Sequence, residues 1–374
     1  MRIGLLFPTI YASPKLFPDK IFAPRELLTA LSNGLVNRGH QVTVYGPTDV
    51  ETKARIVGVS IDHINDPLPY FKFRGESPPH RHTAELEFAK HRFELECILG
   101  AFESLKKGEI DILHVYHESS LFISHYMQDF MGENLPVLYT LHDPLPPHDT
   151  FEYAEFTRFL HHSYVSISNS FRQSDLKLNF VETVYHGIDL SEYPFNEKSG
   201  EEFLFLGRLV PEKGLHNAIA AVKAAGVRLT VSVNIPKEGE IDPYYESIKS
   251  DIQGASCNVL PVVDKARRIE LYRNAKALLF PIEWEEPFGI VLIEAMACGT
   301  PVIAYNRGSV SEIVVDGVTG YVVNSQEGVP GLQKAMGLIQ NIRRENCRKH
   351  VEELFSAEIM TKNYEFLYKK IVGS

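Results

Sequence analysis

The chain reads as an α/β protein made of two doubly wound parallel-sheet domains in series. Three observations predict this. Short apolar runs alternate with longer amphipathic stretches along most of the sequence, the rhythm of strands joined by helical crossovers. Near residues 190 to 201 the rhythm stops in a polar, turn-rich run, Tyr193-Pro194-Phe195-Asn196-Glu197-Lys198-Ser199-Gly200. It then restarts, and 374 residues suffice for two domains of ordinary size.

In the first half, Ile3 to Phe7 reads as a strand, Pro24 to Arg38 as a helix closed by Gly39, and Val42 to Tyr45 and Ile56 to Val59 as strands. Residues 65 to 84 contain four prolines with Lys72, Arg74 and Arg81, and read as a long loop, either solvated or meeting a ligand or an anionic lipid headgroup. Residues 85 to 106 are helical, with Phe88, Leu95, Leu99 and Phe102 on one stripe. Ile112 to Val115, Val137 to Leu141 and Tyr164 to Ile167 are buried strands. In the second half, strands over 203–207, 228–233, 257–260, 277–281 and 301–304 alternate with helices over 214–225, 242–253, 265–274 and 287–298. Parallel sheets with right-handed crossovers follow, with ligands expected at the carboxyl ends of the strands.

Composition narrows the function. A formal net charge of −10 argues against a nucleic-acid partner. Cys97, Cys257, Cys298 and Cys347 are dispersed with no CxxC pair, which fits free thiols in a reducing, cytoplasmic setting. No run of 18 apolar residues is present, and Met1 to Pro8 reads as a strand rather than a signal segment. Peripheral contact with a membrane stays open.

The most informative run is Glu286-Pro287-Phe288-Gly289-Ile290-Val291-Leu292-Ile293-Glu294, followed by Gly299-Thr300-Pro301. Pro287 is read as the first helical residue and Gly299 as the stop. Amides 288 to 291 would then open a helix N-terminus suited to phosphate. A helix from one Glu to the other would separate them by about 12 Å, beyond the carboxylate spacing of a glycosidase. The pair suits the two ends of an extended ligand with phosphates between. Glu294 lies among Ile290, Leu292, Ile293, Ala295 and Ala297, where a carboxylate needs a reason to be. Earlier, Gly207-Arg208 through Lys213 sets two cations after a strand, in a spacing that is not a Walker loop.

Glu286 to Ile303 resembles the donor-site signature of glycosyltransferase family 4, whose fold is GT-B, two Rossmann-like domains with an interdomain cleft. Phe205 to Leu215 is similar to that family's phosphate-binding segment, Val184 to Asp189 to the segment entering its linker, and Tyr139-Thr140-Leu141-His142-Asp143 to the strand ending in its active-site histidine. Asp111 to His114 is similar to an earlier family strand. The likeness is strongest from about 184 to 323. One departure is plain: Phe22-Ala23-Pro24-Arg25-Glu26 stands where the family usually has a Gly-Gly loop. Another is Val233-Asn234-Ile235-Pro236, where Gly-rich residues are frequent.

The resemblance implies residues 1–190 as an acceptor-binding domain, 191–355 as a nucleotide-sugar-binding domain, and 356–374 as a helix returning to the first. Ile359, Tyr364, Phe366, Leu367 and Tyr368 would be its packing residues. It implies a retaining hexosyltransferase using a nucleoside-diphosphate sugar, UDP by family frequency, and a sugar, lipid or small-molecule hydroxyl acceptor. His142, Arg208, Lys213 and Glu286 would carry catalysis, with His142 facing the donor sugar and the two cations holding the diphosphate. Gly207, Phe288, Gly289, Ile290 and Glu294 would bind the donor, Glu294 through the ribose. Domain closure would assemble the site. No metal or other cofactor is implied, and the His80-Arg81-His82 run lacks further metal ligands. A sugar-nucleotide epimerase or hydrolase of the same fold, or a silent sugar-nucleotide-binding protein, are the alternatives.

Overall fold

The computed structural model describes all residues except 18–21, 59–78, 120, 133–134, 237–241, 255 and 374, and the side chains of 79–87. Its contacts divide the chain into two units. The first comprises Met1–Ile167, Arg172–Val184 and Met360–Ser374; the second comprises Ser168–Phe171 and Tyr185–Ile359.

The first unit carries β1 (Arg2–Leu6), α1 (Ala23–Asn37), β2 (Gln41–Tyr45), β3 (Arg55–Val57), α2 (Pro79–Lys106), β4 (Ile112–Val115), α3 (Leu121–Met131), β5 (Val137–Thr140), α4 (Phe151–Phe156), β6 (Ser163–Ser166) and β7 (Phe180–Thr183). Its seven strands lie in the order β3-β2-β1-β4-β5-β6-β7, all parallel. β4 and β5 are buried at every position, as strands covered on both faces must be. The order reverses between β1 and β4, which marks the crevice where ligands of such sheets bind.

The second unit carries β8 (Phe203–Leu206), α5 (Leu215–Ala225), β9 (Leu229–Ser232), α6 (Pro243–Ile252), β10 (Cys257–Leu260), α7 (Lys265–Asn274), β11 (Leu278–Phe280), α8 (Ile290–Ala297), β12 (Val302–Tyr305), α9 (Val310–Ile313), β13 (Gly320–Val323), α10 (Gly328–Leu338) and α11 (Arg344–Leu354). Six parallel strands run β10-β9-β8-β11-β12-β13, with the reversal between β8 and β11. The last helix, α12 (Ala357–Val372), belongs to the first unit from Met360 onward. There Tyr368 and Tyr364 pack on His114 of β4, and their hydroxyls bond His114 Nδ1 (2.6 Å) and Thr140 Oγ1 (2.9 Å). Arg38 of the α1 C-cap pairs with Glu365.

Several local expectations need correction. Helix α2 begins at Pro79, so residues 79–84 are helical; the rest of the loop read over 65–84 lies outside the described residues. The stripe on this helix holds only at Phe102. Phe88, Leu95 and Leu99 are exposed, and Phe93, Cys97, Ile98, Ala101 and Phe102 form the buried face. On α12, Tyr364, Leu367 and Tyr368 are buried but Phe366 faces solvent. Helix α8 starts at Ile290, not Pro287, with Gly289 as its N-cap at φ +80°. A proline ring fixes its own backbone near helical values, but Gly289 in the left-handed region breaks continuity, so the helix begins after it. Glu286 therefore lies four residues outside the helix, and helical rise does not set its distance from Glu294.

Candidate functional site

In the second unit the two strands flanking the reversal deliver the candidate residues. β8 leads through Gly207 and exposed Arg208 to a turn of 3-10 helix, Pro211–Lys213, and then to α5. β11 leads through Pro281 to Glu286 and α8. The two connections are joined by the backbone amide of Glu283 donating to the carbonyl of Glu212 at 2.8 Å. Gly214 makes the close approach feasible. It sits at φ +71°, and a Cβ there would lie 1.8 Å from the carbonyl oxygen of Pro281. Gly214→Ala is expected to destabilise the fold by at least about 1–3 kcal/mol, read by urea denaturation, because left-handed strain and a backbone clash act together.

This geometry brings Lys213 and Glu286 together. Lys213 Nζ donates to Glu286 Oε2 at 2.6 Å, with both side chains largely buried. Trp284 Nε1 donates to the same oxygen at 2.8 Å, and Lys213 Nζ lies 5.0 Å from the Trp284 ring centroid and 5.8 Å from that of Phe280. The lysine is thus held by one carboxylate and two aromatic faces. The Glu286 segment is fixed in turn by Ser309, whose amide donates to the Glu286 carbonyl, and by Gly308, whose amide donates to Glu285. Phe288 is buried against His186, Tyr185 and Phe355, and its carbonyl accepts from Ser309 Oγ. Beyond it, α8 opens with the first-turn amides of Ile290 and Val291, which have no acceptor within the helix.

Glu294 lies apart from this group, in the middle of α8, and is 4% exposed. Its Oε1 accepts from Tyr193 Oη at 2.7 Å and Arg268 Nη2 at 3.1 Å, and its Oε2 from Tyr272 Oη at 2.8 Å. Three donors on two oxygens occupy most of what a carboxylate can accept. Burial and the Glu294 charge push the Tyr272 hydroxyl well above its ordinary pKa, so it stays a donor. The apolar neighbours of Glu294 in sequence signalled that this carboxylate had a purpose. Its partners were missed, although Arg268 and Tyr272 stand four apart on one helix face. Trp284, the sole tryptophan of the chain, was also missed.

In the first unit, His142 follows the end of β5. Its Nε2 lies 2.9 Å from the carbonyl of Tyr116, so that nitrogen carries the proton and Nδ1 is the acceptor. Glu118, two residues after Tyr116, clamps the turn by accepting the amides of His142 (2.6 Å) and Asp143 (2.9 Å). Glu118 was not singled out in the sequence. Desolvation, reinforced by Asp143, pushes its carboxyl well above the usual range. An open cavity of ≈ 490 Å³ runs from Glu118 and Asp143 to the apolar walls of Leu121, Phe122, Leu145 and Phe156.

Desolvation also lowers the His142 pKa from 6.5 to about 4. The unfolded chain binds the proton first as pH falls, so between 6.5 and 4 this group removes stability, and the loss levels off below 4. The sum is at most about 3 kcal/mol. An NMR titration of the imidazole is expected to show a midpoint near 4, and a midpoint near 6.5 would contradict the burial argument.

The departing segment near Phe22 is helical from Ala23, with Phe22 packed on Phe7 and His117.

Two family models match in succession: "Glycosyltransferase Family 4" over residues 26–192 and "Glycosyl transferases group 1" over 191–349. The putative glycosyltransferase YtcC of Bacillus subtilis is 25% identical over 346 residues, covering 82% of this chain and 84% of that protein. The sucrose-phosphate synthase structure from Thermosynechococcus elongatus superposes with a TM-score of 0.70 at 17% identity, over 100% of this chain and 99% of that one. The Anabaena HepE structure in complex with UDP and glucose gives 0.66 at 16% identity, over 99% and 100%. Two doubly wound parallel sheets, loops converging at the reversal of the second, and two family models in tandem lead to one assignment: the chain belongs to the family 4 glycosyltransferases of GT-B fold.

Proposed function

We propose that the protein is a retaining hexosyltransferase that takes its sugar from a nucleoside diphosphate, UDP in the first instance. The observation that carries this is the convergence of Lys213, Glu286 and the start of α8 at the carboxyl ends of β8 and β11. The chemistry is that of a departing diphosphate. Negative charge grows on the leaving oxygens as the glycosidic bond breaks, and a fixed ammonium with helix amides opposes it. Arg208, exposed beyond β8, adds a second cation. Glu286 accepts from Lys213 through one oxygen, so its other oxygen suits a sugar hydroxyl. The HepE structure, in complex with UDP and glucose, supports UDP as the first nucleotide to try.

In this reading the leaving diphosphate takes the acceptor's proton on the face it vacates, so configuration is kept and no metal takes part in the transfer. The acceptor hydroxyl is held by the first unit. The cavity lined by Leu141 and Asp143, the chain neighbours of His142, with carboxylates at one end and aromatic walls at the other, suits a polyhydroxylated molecule with an apolar face.

The test is a thermal-shift screen with UDP-, GDP- and ADP-sugars, followed by NMR of the anomeric configuration of any product. Stabilisation by a UDP-hexose and an unchanged anomeric configuration are expected. An inverted product would end the retaining reading. Release of free sugar with every acceptor would favour a hydrolase.

A further inference from the structure

At the other edge of the first sheet, two histidines and an aspartate converge on one point. β5 and β6 are parallel, so His142 lies at their carboxyl edge while His161 and His162, just before β6, lie at the amino edge. Asp129 comes from helix α3. Its Oδ1 is 2.7 Å from His162 Nε2 and 3.4 Å from His161 Nε2, and the three ligand atoms all lie within 4.8 Å of one another.

The hydrogen bonds behind this cluster fix which way its protons run. Tyr164 has one hydroxyl proton, and it donates to the carbonyl of Phe159 at 2.9 Å. Its oxygen therefore accepts from His125 Nε2, 3.3 Å away, which puts the His125 proton on Nε2. His125 Nδ1 is then an acceptor and takes the proton of His162 Nδ1 across 2.7 Å. In a neutral His162 ring, what remains on Nε2 is a lone pair. It points at a carboxylate oxygen that is also an acceptor. Two acceptors 2.7 Å apart need a proton or a metal ion between or beside them.

We propose that Asp129, His161 and His162 form a binding site for one divalent transition-metal ion of the Zn²⁺ class. Imidazole nitrogen and carboxylate oxygen are ordinary ligands for such an ion, and three protein ligands with water in a fourth position is a common set. Tetrahedral ligands at about 2.0–2.1 Å from the ion stand about 3.3 Å apart, which the Asp129–His161 separation of 3.4 Å already meets. The Asp129–His162 separation must open slightly. His162 is prepared for the role. Its side chain is 1% exposed, its ring stacks on Tyr139 at 5.5 Å and 6°, and buried His125 supplies the outer partner that orients a metal-bound imidazole. His161 and Asp129 are open enough to admit the ion, at 52% and 36% exposure. The ion would clip α3 to the entry of β6, at the opposite end of these strands from His142.

Equilibrium dialysis of the full chain against Zn²⁺, with metal counted by mass spectrometry, tests this. One saturable equivalent is expected, together with a rise in melting temperature. His161→Ala and Asp129→Asn, both at exposed positions, are each expected to weaken Zn²⁺ binding at least tenfold and to abolish the thermal shift while melting normally without metal. Absence of saturable binding to the wild type would show that a proton, not a metal, occupies the gap, and would overturn the proposal. Binding unchanged in both variants would place the ion elsewhere and overturn it equally.

Discussion

Glu294→Ala is expected to lose about 3–5 kcal/mol of stability, the largest effect of any single change considered. Removing the carboxylate takes away the Glu294 ion pair of Arg268, whose side chain is 7% exposed, and the bonds that Glu294 accepts from the hydroxyls of Tyr193 and Tyr272. Each loss is a buried polar group unmade, which costs more than the bond itself contributed. Glu294→Gln keeps the shape and one acceptor oxygen, and is expected to lose less. Chemical denaturation of both variants measures the stability, and isothermal titration with UDP of the folded fraction measures binding. A ribose contact requires Glu294→Gln to weaken UDP at least tenfold. A carboxylate committed wholly to its three donors leaves UDP affinity unchanged while stability falls. Wild-type stability in Glu294→Ala would contradict the buried cage.

The second large effect concerns Lys213. Lys213→Ala is expected to lower kcat about 10²–10³-fold, the usual cost of removing one preorganised charge from a developing anion. Nucleotide affinity should fall less, because a cation matched to the transition state contributes most there. The Lys213–Glu286 pair adds a second consequence. Without Lys213 the Glu286 carboxylate keeps, among the described residues, only Trp284 as a charge-assisted partner. Lys213→Arg, which restores charge with a longer and planar group, is expected to recover stability more than turnover. Steady-state kinetics on the donor found by thermal shift supplies the numbers. Full turnover in Lys213→Ala would remove this residue from the chemistry.

The large features of the molecule were legible because they repeat. Strands such as Phe203–Leu206 and Val302–Tyr305 are continuous apolar runs, and their spacing announced parallel crossovers. What escaped was set by tertiary contact. Helix α2 buries Phe93, Cys97 and Ala101 rather than Leu95 and Leu99, and both sets have helical spacing, so periodicity alone could not choose between faces. The start of α8 was misplaced because proline rules favoured position 287 while the left-handed backbone at Gly289 is dictated by what the loop must reach. The cage of Glu294 draws on Tyr193, Arg268 and Tyr272, which lie up to 101 residues away in sequence. Glu118 was invisible for a simpler reason: its partners are backbone amides, which carry no sequence signal.

Helix α12 sets the order of events during synthesis. The hydroxyls that satisfy His114 and Thr140 belong to Tyr368 and Tyr364, which leave the ribosome after residues 185–359 have emerged. The unit begun first is therefore completed last, and it waits with a gap along β4 and β5 while its neighbour can already close. A stalled or clipped chain lacking residues 360–374 would present that gap to the cell's quality-control machinery.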